Sequence, residues 1–92
     1  MLVTRRLRVT GRVQGVWYRG WTVDQARALG IDGWVRNRRD GSVEILARGP
    51  EAAVAKLVER CRAGPGAARV ERVEIEDSDE VARPGFVQAR TL

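Results

Sequence analysis

The chain has 92 residues, a length sufficient for one domain with its own core but not for two. Of these residues, 43% are hydrophobic and 32% are charged. The lack of a long apolar run excludes a membrane-spanning helix, and a single cysteine excludes an internal disulfide framework. Because histidine is absent, zinc sites and Ser/His or Cys/His catalysis lack their usual groups. The formal net charge is +5, yet the arginines are interleaved with acidic residues and form no basic tail, so we expect attraction to small anions and no nucleic-acid partner.

The first third of the chain predicts a strand, a tight turn and a helix. Apolar residues alternate with arginine and threonine from Arg5 to Val13, which is the period of a strand with one buried face. Gly15 interrupts this pattern, and after Arg19 the apolar spacing becomes that of a helix that ends at Leu29-Gly30. A turn that enters a helix leaves backbone N–H groups free at the positive end of the helix dipole, so Gln14 to Arg19 are predicted to form an anion site.

The middle of the chain predicts a β-hairpin followed by a second helix. Strands from Ile31 to Arg38 and from Ser42 to Arg48 flank the turn signal Asp40-Gly41. Gly49-Pro50-Glu51 is a helix start, with the proline suited to the first helical position, and Gly64-Pro65-Gly66 is the corresponding end. The apolar stripe of this helix consists of Val54, Leu57, Val58 and Cys61.

Two further strands complete the pattern. One runs from Arg69 to Asp77, with Val73 and Ile75 inward and Val70 out of phase, which indicates a bulge; a short last strand runs from Phe86 to Arg90. The order βαββαβ plus a strand predicts a single domain over residues 1–92. We expect an α+β sandwich with a mainly antiparallel sheet of four to five strands and two helices on one face.

The predicted topology brings a second polar group to the anion site. The first two strands are joined through a helix, so they should run parallel, with their C-terminal ends at one edge of the sheet. Asn37 ends the second strand and shares the parity of Ile31 and Val35, so it should face the helices near the start of the first one. A carboxamide beside an anion site, with the forked cation of Arg19 at its edge, is a candidate catalytic arrangement.

Two long motifs resemble the signatures of the acylphosphatase family. The first is Gly11-x-Val13-Gln14-Gly15-Val16-x-Tyr18-Arg19, and the second is Gly33-Trp34-Val35-Arg36-Asn37-x-x-x-Gly41-x-Val43, with Gly49 at the expected distance. The likeness spans essentially the whole chain. It implies a ferredoxin-like fold and the hydrolysis of acyl phosphates to a carboxylate and inorganic phosphate, with Arg19 as the phosphate-binding arginine and Asn37 as the residue that orients water.

This chemistry needs none of the groups that the chain lacks. A leaving carboxylate has a conjugate-acid pKa of roughly 4, so it departs without a general acid. We therefore expect no metal, no cofactor, and a phosphate or sulfate ion as a ligand of the same site. The predicted catalytic residues are Arg19 and Asn37, and the predicted phosphate-binding residues are Gln14, Gly15, Val16, Trp17, Tyr18 and Arg19.

Several alternatives remain open at this point. A ferredoxin-like RNA-binding module would need stacking aromatics on the open sheet face, where Trp34 stands alone beside Glu44 and Leu46. A regulatory module that keeps the fold without turnover is a third interpretation. Trp17 either covers the acyl part of the substrate or packs, exposed, on its loop. The residues before the first strand lack the apolar segment of a secretory signal, so we expect a cytoplasmic protein. We also expect it to be a monomer.

Overall fold

Five strands and two helices follow one another in the predicted order. The structure, a computed structural model, describes residues 1–92. Its elements are β1 (Leu2–Arg12), α1 (Tyr18–Ala28), β2 (Asp32–Asn37), β3 (Val43–Pro50), α2 (Glu51–Ala63), β4 (Arg69–Asp77) and β5 (Phe86–Gln88). The predicted fold class is confirmed. Neither helix is long and apolar enough to cross a lipid bilayer.

All five strands form one sheet in the order β4-β1-β3-β2-β5. Each neighbouring pair is antiparallel except β2 and β5, which are parallel. Because β1 and β2 are both antiparallel to β3, which lies between them, they run in the same direction. The prediction that their C-terminal ends share one edge of the sheet is therefore confirmed.

The core fills the space between the two helices and one face of the sheet. Its buried residues include the alternating apolar positions of the central strands and the predicted stripe of α2. The fully buried members that the sequence pattern identified include Leu7, Val9, Val13, Val35, Val43, Ile45, Leu57 and Cys61.

The opposite face of the sheet differs from the prediction, because two residues that were expected to be exposed to solvent are buried. Leu46 is 0% exposed and Glu44 is 6% exposed. Leu46 lies on the central strand in register with Arg6 and Trp34, whose long side chains can cover it. The Glu44 carboxylate accepts hydrogen bonds from Arg36 (2.8 Å) and from a second arginine of the adjoining hairpin (3.0 Å).

Some strands and helices begin or end at other residues than predicted, because β3 continues beyond its apolar pattern. β3 extends to Pro50, which pairs with Leu2, so α2 begins one residue later than predicted, at Glu51. The predicted bulge in β4 is confirmed, because the β1–β4 register shifts between Thr10 and Gly11.

Ile75 lies on the predicted inward face of the sheet, opposite Leu7 of β1, but its side chain is not buried there. Its neighbour in the same predicted inward row, Val73, is 9% exposed, whereas Ile75 is 43% exposed. β4 is an edge strand, so its outer residues have a neighbouring strand on one side only. β5 is also shorter than predicted and ends at Gln88, although Ala89 N–H still donates to Val35 O at 2.8 Å.

Candidate active site

The turn between β1 and α1 has the backbone of an anion-binding nest. Gly15 (φ 74°) and Trp17 (φ 65°) are both left-handed, and Val16 between them has a negative φ. Alternation of this kind directs successive N–H groups toward a common point. The N–H groups of Gln14 to Trp17 make no backbone–backbone hydrogen bond, and the first such bond of the helix runs from Trp21 N–H to Trp17 O at 3.1 Å.

The start of α1 adds positive potential to this turn. Its first turn holds no acidic residue and no side chain caps it. Its free N–H groups and the helix dipole therefore favour an anion. Arg19 lies in this first turn and takes part in none of the nine ion pairs of the protein. Its guanidinium is consequently free to bind a ligand.

A cavity of about 160 Å³ lies where this turn meets the end of β2. It brings together both predicted catalytic residues, Arg19 and Asn37, and four of the six predicted phosphate-binding residues, Arg19 among them. Gln14 and Val16 do not line it. The lining residues are Val13, Gly15, Trp17, Tyr18, Arg19, Gly20, Asn37 and Gln88.

Asn37 closes the cavity from the β2 side. It is the last residue of β2 and carries a half-buried side chain on the face of the sheet that the helices cover. Its carboxamide oxygen is buried and makes no hydrogen bond within the protein. Its own backbone carbonyl accepts a hydrogen bond from Leu92 N–H at 3.1 Å, which fixes the end of the strand. The carboxamide is therefore a polar group without a structural partner.

The Gln14 side chain has a structural role that the sequence did not indicate. Its Nε2 donates to Arg38 O (2.8 Å) and to Ser42 O (2.9 Å), and so ties the turn before α1 to the β2–β3 hairpin. The partners lie 24 and 28 residues away in the chain, and only the folded sheet brings them within reach. Gln14 thus connects the segment that carries Arg19 to the one that carries Asn37.

The Tyr18 side chain points into the core, so only its main chain is available to a ligand. The phenol is 1% exposed and its OH donates to Cys61 O at 2.6 Å, which links the two helices. Burial raises the pKa of this phenol above its usual range. Burial also raises the pKa of the Cys61 thiol to about 12, which fits the predicted core role of this cysteine and not that of a nucleophile.

A second concavity, of about 310 Å³, lies on the open face of the sheet. Its arginines face carboxylates of the same surface, and the most buried of these, Glu44, contacts Arg6, Arg36 and Arg38. Burial opposes ionisation of Glu44, but the hydrogen bonds and charges of Arg36 and Arg38 outweigh it and hold the pKa of that carboxyl below its usual value. The positive charge there is already paired, unlike that of Arg19.

Comparison with known proteins identifies the family. The family model for acylphosphatase matches residues 5–88. The chain belongs to the acylphosphatase family. It is 52% identical over 90 residues to an acylphosphatase of Rhizorhabdus wittichii, with 98% of this chain and 91% of the relative aligned. It is also 52% identical over 89 residues to an acylphosphatase of Rhodospirillum rubrum, covering 97% and 98% of the two chains.

A solved acylphosphatase has the same fold. The crystal structure of acylphosphatase from Bacillus subtilis matches with a TM-score of 0.90 and 38% identity, over 97% of this chain and 99% of that one. The ferredoxin-like α+β class expected from the sequence resemblance is therefore confirmed, as is the resemblance itself.

Proposed function

We propose that this chain is a metal-independent hydrolase of acyl phosphates whose catalytic residues are Arg19 and Asn37. The observation that supports the assignment most strongly is that one cavity of about 160 Å³ is lined by an unpaired guanidinium, a carboxamide without a structural partner, and a turn of free N–H groups. As a member of the acylphosphatase family, the chain is an enzyme that acts on a small acyl phosphate.

The phosphoryl group binds to the turn and to Arg19. Backbone N–H groups between Gln14 and Arg19 hold its oxygens, as in other nests at helix N-termini. The guanidinium binds two of these oxygens and offsets the charge that they carry as the P–O bond breaks. Inorganic phosphate or sulfate should occupy the same place, because both present the same tetrahedral arrangement of oxygens.

Asn37 orients the attacking water. The carboxamide oxygen accepts a hydrogen bond from the water and aligns it with phosphorus. The water oxygen forms the new bond to phosphorus while the bond to the acyl oxygen breaks, and that electron pair leaves with the carboxylate. A phosphate oxygen takes the proton of the water. Because the leaving carboxylate is a weak base, no protein acid and no metal ion is required.

The RNA-binding and regulatory alternatives are not favoured. On the open face Leu46 is buried, and Trp34 is covered by the Arg36 guanidinium, 4.4 Å from the ring centroid, so no aromatic platform is available to bases. The proposed site is complete within one chain, so a single copy contains every group that the proposed reaction uses. The unpaired, buried Cys61 supports a reducing location such as the cytoplasm.

Hydrolysis of benzoyl phosphate in the presence of EDTA tests the proposal. We expect turnover without added metal and competitive inhibition by inorganic phosphate. In water enriched in ¹⁸O, one label should enter phosphate and none should enter benzoate, because the attack is at phosphorus. Loss of activity with EDTA, or label in benzoate, would contradict the mechanism.

A further inference from the structure

Trp17 combines two unfavourable features at the rim of the active-site cavity. It is the only residue other than glycine with a positive φ (65°), a conformation that bulky side chains rarely adopt. Its side chain is also 64% exposed, although indole is among the largest apolar groups. Neither feature stabilises the folded chain.

The indole is nevertheless held in a defined place. A Cβ added to Gly20 would lie 2.2 Å from Trp17 Nε1 and 2.8 Å from Cδ1. The ring therefore lies directly on the first turn of α1 and uses the space that the missing side chain of Gly20 leaves. One side of the ring rests on the helix while most of its surface faces solvent, which makes it a fixed platform.

The cavity is too small for a complete substrate with a large acyl group. Its volume of about 160 Å³ is below the range of pockets that enclose whole small molecules, roughly 300–1,000 Å³. Val13 and Tyr18, which also line it, are each 1% exposed, so Trp17 is the lining apolar residue that reaches solvent. An acyl group attached to a phosphate held by Arg19 must extend beyond the cavity, where this indole lies.

We propose that the indole of Trp17 binds the acyl part of the substrate and favours flat, aromatic acyl groups over short aliphatic ones. This inference rests on the proposed function and names the class of substrate within it. An aromatic ring stacks on indole or meets its edge, whereas a methyl group covers little of its surface. The expected gain for an aromatic acyl group is about threefold to tenfold in kcat/KM.

Kinetics with two substrates tests this role. We expect Trp17→Asn, which removes the ring and tolerates a left-handed backbone, to lower the ratio of kcat/KM for benzoyl phosphate to kcat/KM for acetyl phosphate about threefold to tenfold, because any effect on the phosphate-binding turn is common to both substrates. Trp17→Phe, which keeps an aromatic ring, should retain most of the preference. Trp34→Phe, on the opposite face of the sheet, is the matched control and should leave both values unchanged.

Equal losses with both substrates, or no loss with either, would overturn the proposal. Should Trp17→Asn fail to fold, as judged by far-ultraviolet circular dichroism, Trp17→Gly removes the same ring and suits the same backbone angle.

Binding of two phosphonates separates this proposal from the catalytic one. By calorimetry, the unmodified protein should bind benzylphosphonate more tightly than methylphosphonate, and Trp17→Asn should bind the two equally. This preference supports the platform even if neither acyl phosphate is hydrolysed, a result that would refute only the proposed function. Equal affinities in the unmodified protein would overturn the platform.

Discussion

The two hydrogen bonds donated by the Gln14 side chain give the most quantitative prediction. Gln14→Ala removes two hydrogen bonds, of 2.8 and 2.9 Å, between the turn before α1 and the β2–β3 hairpin. Each acceptor keeps a backbone donor, because Arg38 O still accepts from Gly41 N–H (3.1 Å) and Ser42 O from Arg38 N–H (2.8 Å). No carbonyl is left unpaired, so the loss is the net value of two hydrogen bonds, about 2 kcal/mol in the free energy of unfolding.

Thermal and urea unfolding measure this loss. For a domain of this size, about 2 kcal/mol corresponds to a Tm lower by roughly 8–16 °C. We also expect kcat for benzoyl phosphate to fall, because the segments that carry Arg19 and Asn37 are no longer tied together. Gln14→Glu should be at least as destabilised, since a carboxylate donates no hydrogen bond and repels both carbonyls.

Gln25→Ala is the matched control for Gln14→Ala. Gln25 makes one hydrogen bond, from Arg60 Nη1 at 2.9 Å, on the protein surface, so we expect a change below about 0.5 kcal/mol and unaltered kcat. The reasoning is refuted if Gln14→Ala unfolds with the same free energy as Gln25→Ala.

Three further predictions concern individual side chains. Arg19→Ala should raise KM for benzoyl phosphate and the inhibition constant of phosphate and should also lower kcat, so that kcat/KM falls about 100-fold or more. An unchanged inhibition constant of phosphate would contradict the role of Arg19 in phosphate binding. Glu44→Gln should lower stability at pH 7 by about 1–2 kcal/mol. Although burial opposes the shift, the hydrogen bonds and charges of Arg36 and Arg38 hold the folded pKa of Glu44 below its usual value, so its contribution to stability is present above the unfolded pKa and is lost as the pH falls through the folded pKa. The urea midpoint of the variant should therefore approach that of the unmodified protein in acid. Tyr18→Phe should cost about 1–3 kcal/mol, because Cys61 O loses its hydrogen bond and the residue four positions on, Pro65, has no N–H to replace it; kcat should stay within twofold, because the phenol lies outside the proposed chemistry.

The position of the site followed from sequence pattern because it depends on topology. Alternation identified β1 and β2, the intervening helix implied that they run parallel, and strand parity put Asn37 on the side of the helices. These rules involve only the direction of strands and the side of the sheet, so they do not depend on side-chain packing. They bring Arg19 and Asn37 to one cavity, as expected.

Three other features could not be obtained in this way because they depend on contacts between distant segments. The left-handed backbone of Trp17 goes against its residue type. The partners of Gln14 lie on a hairpin formed much later in the chain. Glu44 follows the polar phase of its strand, yet arginines from neighbouring segments bury it.

The kcat of Asn37→Ala for benzoyl phosphate tests the central claim most directly. If the carboxamide aligns the attacking water, kcat should fall about 100-fold or more while KM stays within about threefold, because phosphate binding belongs to the turn and to Arg19. Hydrolysis by a folded Asn37→Ala variant at a kcat within twofold of the unmodified protein would contradict the account.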